Sequence, residues 1–164
     1  MQTTWTVGPA KGEDLPEVFA LLEECDLPKE GLARCLSTTL VARKEHEIIG
    51  SAALELYQQC ALLRSVAVKS AFRKQGIASS LTRAALDLAK EFHMTNVFLL
   101  TETASTFFSK QGFIQVHRSN VPENVKQSIE FTTLCPDTAT VMMTTLDHLN
   151  DAPTTQNRPS FASS

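Results

Sequence analysis

A short basic segment, residues 73–78 (RKQGIA), carries the residue types best suited to chemistry in this chain. Arg73 and Lys74 can make charge-assisted hydrogen bonds to phosphate oxygens. Gly76 and Ala78 keep the backbone free of bulk, so an anion can approach the main-chain N–H groups closely. This spacing predicts a phosphate site, although a turn of this composition could by itself be an ordinary basic surface turn.

The elements on either side of this turn are predicted to be a buried strand and an amphipathic helix. Residues 62–68 (LLRSVAV) are mostly apolar and partly β-branched, which is typical of a strand buried in a sheet. From Ile77 to Phe92, apolar residues recur at the i, i+4, i+7 and i+8 spacing of one helical face. A helix N-terminus contributes aligned N–H donors and partial positive charge. This context strengthens the phosphate hypothesis.

The length and composition are those of one globular domain. The chain has 164 residues, of which 43% are hydrophobic and 20% are charged, enough for a core without disulfide or metal staples. The net charge of −3 gives no general reason to expect nucleic acid or an anionic membrane as a partner. No signal peptide or membrane-spanning run is visible. We expect a cytoplasmic protein, either a monomer or a homodimer.

The cysteines and histidines are scattered and form no zinc-binding spacing. We therefore expect no metal site, and free thiols that mostly pack as small hydrophobic residues. Cys135, which precedes a proline, could instead lie at a substrate site and bind a thiophilic metalloid as a thiolate. A packed or surface thiol is the more common outcome for such a residue.

Hydrophobic periodicity and turn residues predict alternating strands and helices around a mixed sheet. The turn at residues 26–28 and the helical piece after it are expected to border a substrate cleft. Residues 119–138 are predicted to be a long irregular connection, and the polar residues 147–164 a disordered tail. The predicted strands cover residues 4–7, 39–43, 48–57, 60–68, 96–101, 113–117 and 139–146. The predicted helices begin near residues 14, 30, 77 and 103.

Taken together, these features resemble the GNAT superfamily of N-acetyltransferases. The acetyl-CoA signature of that family, Arg/Gln-x-x-Gly-x-Gly/Ala, is similar to residues 73–78, and its later Phe-x-x-x-Gly-Phe element is similar to residues 108–113. The likeness covers residues 4–146, within a predicted domain at 1–146. More narrowly, LLRSVAV, LLTETASTFFSKQGF and EFTTLCPDTA resemble a subfamily associated with bacterial arsenic-resistance operons, which names a setting and not a substrate.

The resemblance implies an α/β GNAT fold, in which about four helices flank a mixed, mostly antiparallel twisted sheet. The sheet would splay open beside residues 66–68, and the pantetheine of acetyl-CoA would pair there with main-chain groups. The pyrophosphate would lie on the amides of residues 74–79. The implied contacts with acetyl-CoA are Val66, Ala67, Val68, Arg73, Lys74, Gln75, Gly76, Ile77, Ala78, Ser79, Thr101, Ala104, Phe107 and Phe108.

The chain departs from the family where the acid and the base usually lie. Many relatives carry a tyrosine on the helix that here contains Phe107 and Phe108, and many carry an acidic residue where this strand has Arg64. Glu55, near the end of the neighbouring strand, is the candidate base, with a solvated carboxylate as the alternative role. Glu102 is a further substitute, or a charge that complements a helix dipole. Transfer can also rest on proximity if the amine arrives neutral.

Three charged residues are candidates for binding the acceptor. Arg64 lies within an apolar run, where an unpaired guanidinium would be costly to bury. It could pair internally with Glu55 or Glu130, or it could form a fork for the carboxylate of an amino-acid-like acceptor, as could Arg118. Glu130 lies in the long connection that often roofs the acceptor site in this fold, or it is a surface charge.

These residues and the resemblance imply an acetyl-CoA-dependent N-acetyltransferase for a small amine-bearing acceptor, which in one interpretation is anionic. Two alternatives stay open. The missing tyrosine and strand acid favour a non-catalytic CoA-binding or metalloid-responsive module. Fold analogy alone suggests a peptide or protein N-acetyltransferase.

Overall fold

The computed structural model describes residues 4–134 and 138–146. Within them, one seven-stranded sheet has the order β1-β2-β3-β4-β5-β7-β6. Neighbouring strands are antiparallel except β4 and β5, which run parallel. The strands are β1 (Thr6–Pro9), β2 (Thr39–Lys44), β3 (Glu47–Tyr57), β4 (Cys60–Val68), β5 (Asn96–Thr101), β6 (Ile114–Gln115) and β7 (Thr140–Thr145).

Helices cover both faces of the sheet. The α-helices are α1 (Leu15–Glu24), α2 (Ile77–Glu91), α3 (Ser105–Lys110) and α4 (Glu123–Lys126). The shorter turns are 3₁₀ at Gly12–Asp14, Leu32–Thr38, Ser70–Phe72 and Arg118–Asn120, and π at Glu130–Leu134. This arrangement confirms the predicted mixed α/β fold with a mostly antiparallel sheet.

Helix α2 packs closely on the sheet because its apolar face meets a glycine on β3. Leu81 and Ala85 are completely buried in the core on this side. A Cβ at Gly50 would lie 2.9 Å from Cδ1 of Leu81 and 3.1 Å from the main-chain oxygen of Ala67. A side chain at this position would therefore push α2 away from the sheet. The close packing positions the N-terminus of α2 beside the end of β4.

The opposite face of the sheet is covered by α1, whose residues Leu21 and Leu22 are buried against Val41 and Ile48. Successive side chains of a strand point to opposite faces, so Ile49 contributes to the α2 core while Ile48 contributes to the α1 core. A third cluster forms beneath α4. It contains Leu62, Phe98, Val121, Val125 and Val141.

The structure differs from the sequence predictions mainly in the connections. The prediction that residues 119–138 are irregular is wrong, because Pro122 precedes a helical turn whose Val125 is completely buried. The predicted strand at 113–117 shortens to β6, and the helical piece expected at 30–36 is the 3₁₀ segment Leu32–Thr38. The predicted tail at 147–164 and Cys135 lie outside the described residues.

Candidate functional site

The sheet opens where β4 leaves β5. Ser51 pairs with Ala67 and Ala53 pairs with Arg64, so β4 contains one more residue than β3 between these two pairs. The extra residue is a β-bulge at which Ser65 adopts φ +60°, and a bulge bends and twists its strand. The parallel pairing of β4 with β5 ends at Leu63 and Leu99. Beyond this point the two strands diverge.

The gap between the diverging strands is the cleft predicted from the sequence, and we call it the splayed cleft. Its volume is about 1150 Å³, slightly above the usual range for small-molecule sites, so it has room for a large ligand. The N–H of Lys69 donates to the main-chain oxygen of Ile49 on β3. Main-chain groups of alternate residues point in opposite directions, so those of Val66 and Val68 face the cleft.

The basic turn forms the end of this cleft. Gly76 adopts φ +85°, and a Cβ built there would meet nothing within 4 Å. Lys74 also has a positive φ of +67°. No side-chain hydrogen bond caps the N-terminus of α2, so the amides of its first turn are available to an anion, as is the partial charge of this 15-residue helix. These features fit the pyrophosphate of acetyl-CoA.

Two side-chain hydrogen bonds hold the turn in place. Nε of Arg73 donates to the main-chain oxygen of Val68 at 3.0 Å, which ties the turn to the end of β4. Nε2 of Gln111 donates to Oγ of Ser79 at 3.0 Å, which ties the end of α3 to the start of α2. Sequence reasoning missed Gln111, because nothing in a local pattern indicates a partner 32 residues away.

Nearly all of the predicted acetyl-CoA contacts line the splayed cleft. The exception is Gln75, which is exposed and is not among the lining residues. The turn at residues 26–28 borders the cleft as expected, and Glu102 and Glu130 also line it. Lining residues for which the sequence predicted no role are Cys25, Leu63, Ser65, Phe72, Leu99, Leu100, Thr103 and Ala139. The predicted contacts that line it are Val66, Ala67, Val68, Arg73, Lys74, Gly76, Ile77, Ala78, Ser79, Thr101, Ala104, Phe107 and Phe108.

Arg64 is completely buried at the wall of the cleft and forms an internal ion-pair network. Its Nη1 donates to Oε2 of Glu55 at 2.8 Å, and its Nε donates to Oγ of Ser65 at 3.1 Å. Its Nη2 donates to the main-chain oxygen of Glu30 at 2.8 Å and lies 3.5 Å from Oε2 of Glu130. Of the two roles considered from the sequence, the structure shows the internal pair, with both carboxylates.

Glu55 has a second partner on its own strand. Its Oε1 accepts a hydrogen bond from the hydroxyl of Tyr57 at 2.5 Å, because residues two apart on a strand share a face. Burial, and then this hydrogen bond, raise the pKa of Tyr57 to about 12. Burial, followed by the nearby charge of Glu55, raises the pKa of the Cys35 thiol to about 11. Both groups therefore stay protonated at neutral pH.

Glu55 does not line the splayed cleft. It lines a second cavity of about 340 Å³, which we call the small cavity. This cavity lies between the 3₁₀ segment Leu32–Thr38, the end of β3 and residues 127–129. Arg118 is not among the residues that line either cavity, and its guanidinium lies 5.6 Å from the ring centre of Phe131. The structure thus brings Glu55, Arg64 and Glu130 together and places Arg118 elsewhere.

Comparison with known families identifies the domain. Residues 36–115 match a family model described as an acetyltransferase (GNAT) domain. This match assigns residues 36–115 to a GNAT acetyltransferase domain. The matched segment runs from the 3₁₀ segment before β2 to β6, and it includes the β4 bulge and the Gly76 turn. The sequence prediction of a GNAT domain is therefore confirmed, while membership of the arsenic-resistance subfamily stays a prediction.

Solved structures share this GNAT fold. N-acetylglutamate synthase from Neisseria gonorrhoeae, solved with coenzyme A and N-acetyl-glutamate, matches with 19% identity and a TM-score of 0.76, over 90% of this chain and 36% of its own. Rv2747 from Mycobacterium tuberculosis, solved with CoA, matches with 22% identity and a TM-score of 0.75, over 86% and 99%. YhbS from Escherichia coli, solved with CoA, matches with 23% identity and a TM-score of 0.59, over 70% and 71%.

These matches confirm the predicted fold. The chain spans about a third of the length of the Neisseria synthase chain that it matches. The family model describes an acetyltransferase domain, and these three solved structures each contain coenzyme A. Within residues 4–134 and 138–146, no group of three or more metal-binding side chains occurs. In the same part of the chain, every helix is too short or too polar to cross a bilayer.

Proposed function

We propose that the chain is an acetyl-CoA-dependent N-acetyltransferase that acts on a small amine-bearing acceptor. The observation that best supports this function is the splayed cleft, in which main-chain groups of a bulged strand and uncapped amides of a helix face the same gap. A generic anion site would need the helix N-terminus but not the opened sheet beside it. The two features together suit a ligand with both a pyrophosphate and an amide-containing arm.

Different residues of the chain would bind different parts of acetyl-CoA. When bound, acetyl-CoA supplies a thioester carbonyl that a neutral amine can attack. The main-chain groups of Val66 and Val68 would orient the pantetheine arm, and the amides that follow Gly76 would hold the pyrophosphate. Phe107 and Phe108 make the α3 side of the cleft apolar, which excludes water and strengthens polar interactions with the reacting groups.

Proton transfer is the less familiar part of the proposed mechanism. Helix α3 presents phenylalanines to the cleft where many relatives have a tyrosine, so this helix offers no phenol as an acid. We propose Glu55 as the proton acceptor, with Glu102 and Glu130, which line the cleft, as alternatives. Close approach of an amine that is already neutral would supply much of the rate enhancement.

The proposed acceptor is a small molecule with an amino group and, in the interpretation that we favour, an anionic group. The Neisseria synthase, which has the same fold, was solved with an acetylated amino acid, and this supports an acceptor of similar size. Arg64 directs its donors at protein groups, so we propose that it braces the site. Arg118 stays a predicted acceptor contact. An arsenic-resistance setting and a cytoplasmic location also stay predictions.

Release of the free CoA thiol tests the proposal. The purified chain is incubated with acetyl-CoA and a panel of amino acids, other small amines and peptides with free N-termini, while thiol formation is followed spectrophotometrically. Acceptor-dependent release, with an acetylated product confirmed by mass spectrometry, is expected for small amines. Release with peptides alone would favour a peptide N-acetyltransferase. Binding of acetyl-CoA without release for any amine would refute catalysis and favour a CoA-binding module.

A further inference from the structure

We propose that the small cavity binds the acceptor as a zwitterion, with its ammonium group at Glu55 and its carboxylate at Arg34. This inference rests on the proposed function and adds a substrate class to it. Sequence reasoning placed an anionic acceptor at Arg64 and Arg118 and did not consider Arg34. The inference depends on the arrangement of charges in the cavity.

The small cavity and the splayed cleft are linked by the ion pair between Glu55 and Arg64. Arg64 lines the cleft, and its ion-pair partner Glu55 lines the cavity. Gly31 lines the cavity, and a Cβ there would lie 3.1 Å from Nη1 of Arg64. Ile129 lines the cavity, whereas Glu130 lines the cleft. A group that contacts Glu55 from the cavity side is therefore near the boundary with the donor site.

Two residues of opposite charge, Glu55 and Arg34, line the cavity. Glu55 is buried, with 8% of its surface exposed, whereas Arg34 is exposed at the opening. Both residues line the cavity beside Cys35, so the two opposite charges border the same space. A buried carboxylate and an exposed guanidinium complement a molecule that enters with its ammonium group first.

Arg64 is poorly placed to hold the carboxylate of the acceptor. Its three nitrogen atoms already donate to Glu55, Ser65 and the main-chain oxygen of Glu30. A substrate carboxylate could bind there only by displacing these contacts from a completely buried guanidinium, at a large desolvation cost. Arg34 has no such constraint, because its side chain is exposed.

Glu55 is the group in the cavity that can take the proton which the ammonium must lose before it reacts. The ammonium nitrogen gives one proton to the carboxylate of Glu55, which becomes a neutral acid, and the acceptor becomes a neutral amine. The guanidinium of Arg64 lies beside the same carboxylate; it destabilises a nearby ammonium group but also stabilises the carboxylate that accepts the proton, so it does not by itself drive the transfer. The neutral amine is the form that attacks the thioester carbonyl.

Binding of matched ligands tests the charge assignment independently of turnover. The affinity of the chain, saturated with CoA, is measured by calorimetry for each amino acid and for its carboxamide, which keeps the amine but lacks the carboxylate. The wild-type chain is expected to bind the best amino acid at least about tenfold more tightly than its amide. Arg34→Ala should abolish this preference. Arg83→Ala, which removes an exposed arginine on α2, should retain it.

A second variant tests the location without relying on charge. Ser37 is exposed at the opening of the cavity, and Ser37→Trp should block entry of the acceptor while leaving the affinity for acetyl-CoA unchanged. An amino-acid preference that survives Arg34→Ala, or acceptor binding that survives Ser37→Trp, would overturn the inference. Wild-type binding without preference for the charged carboxylate would also overturn it.

The two proposals fail in distinguishable ways. If no amine releases CoA but Arg34 still controls amino-acid binding, the proposed function fails and the binding site stands. If amines are acetylated and Arg34→Ala changes neither affinity nor KM for amino acids relative to their amides, the function stands and this site fails.

Discussion

Nη1 of Arg64 lies 2.8 Å from Oε2 of Glu55, and the arginine side chain is completely shielded from solvent. The two residues belong to adjacent antiparallel strands, and the β4 bulge lies immediately after Arg64. The ion pair therefore sits where the sheet begins to open. It links the stability of the sheet to the geometry of the cleft.

Loss of the Glu55 charge should cost more stability than loss of an exposed carboxylate. Glu55→Gln leaves the buried guanidinium with fewer charged partners, and we expect the free energy of unfolding to fall by on the order of 3 kcal/mol. Glu47→Gln is the matched control, because Glu47 pairs with Lys69 at the surface, where such pairs contribute about 1 kcal/mol or less. Urea denaturation measures both. Equal effects would show that the buried pair has no special role.

The same substitution separates catalysis from donor binding. If Glu55 accepts the amine proton, Glu55→Gln should reduce turnover by about 100-fold or more, while the affinity for acetyl-CoA changes little because Glu55 does not line the splayed cleft. Steady-state kinetics and calorimetry provide the two values. Unchanged turnover across the pH range would exclude Glu55 as the base.

Negative charge at Gly76 should abolish binding of acetyl-CoA. Gly76→Asp adds a carboxylate where the pyrophosphate is expected, whereas Gly76→Asn adds a side chain of similar shape without the charge. Both accept the same φ of +85°, at a cost of about 1 kcal/mol in stability, and neither Cβ meets a neighbour. We expect calorimetry to detect no binding for the aspartate variant and weakened binding for the asparagine variant. Equal affinities in the two variants would contradict an anion site.

The partly buried phenol of Tyr57 and the buried thiol of Cys35 should make the fold sensitive to alkali. The Tyr57 pKa is raised from 10.0 to about 12, and the Cys35 pKa from 9.0 to about 11. Between pH 9 and 12 the unfolded chain loses these protons while the folded chain keeps them, so stability falls as pH rises. Tyr57→Phe should remove the part of this loss between pH 10 and 12. Urea unfolding at a series of pH values measures the slope, and a slope unchanged in the variant would contradict the assignment.

Acetyl-CoA should protect one cysteine from alkylation. Cys25 is partly exposed, lines the splayed cleft and lies 3.6 Å from Nη2 of Arg73. Cys35 and Cys60 are buried, and burial raises the pKa of both thiols. Iodoacetamide at pH 8 should therefore modify Cys25 faster than the other two, and saturating acetyl-CoA should slow this reaction. Peptide mass spectrometry assigns the sites, and an unaltered rate at Cys25 would place acetyl-CoA elsewhere.

The local sequence was sufficient to predict the part of the site that is proposed to bind acetyl-CoA, the acetyl donor. The small residues of the turn, the strand before it and the amphipathic helix after it are consecutive in the chain, so their arrangement follows from backbone preferences and hydrophobic periodicity. For the same reason the predicted contacts from Val66 to Ser79 line the cleft, apart from the exposed Gln75.

The part of the site that is proposed to bind the acceptor depends on residues brought together by the tertiary structure. Glu55 meets Arg64 through the register of β3 with β4, Glu130 approaches from the turn after α4, and Arg34 comes from the 3₁₀ segment before β2. A shift of one residue in the register of β3 with β4 would turn the side chains of the shifted strand to the other face of the sheet and separate Glu55 from Arg64. Charge and spacing identified Arg64 as a residue that needs a partner, but strand register and helix packing decide which partners it has and on which side of the guanidinium a ligand can bind.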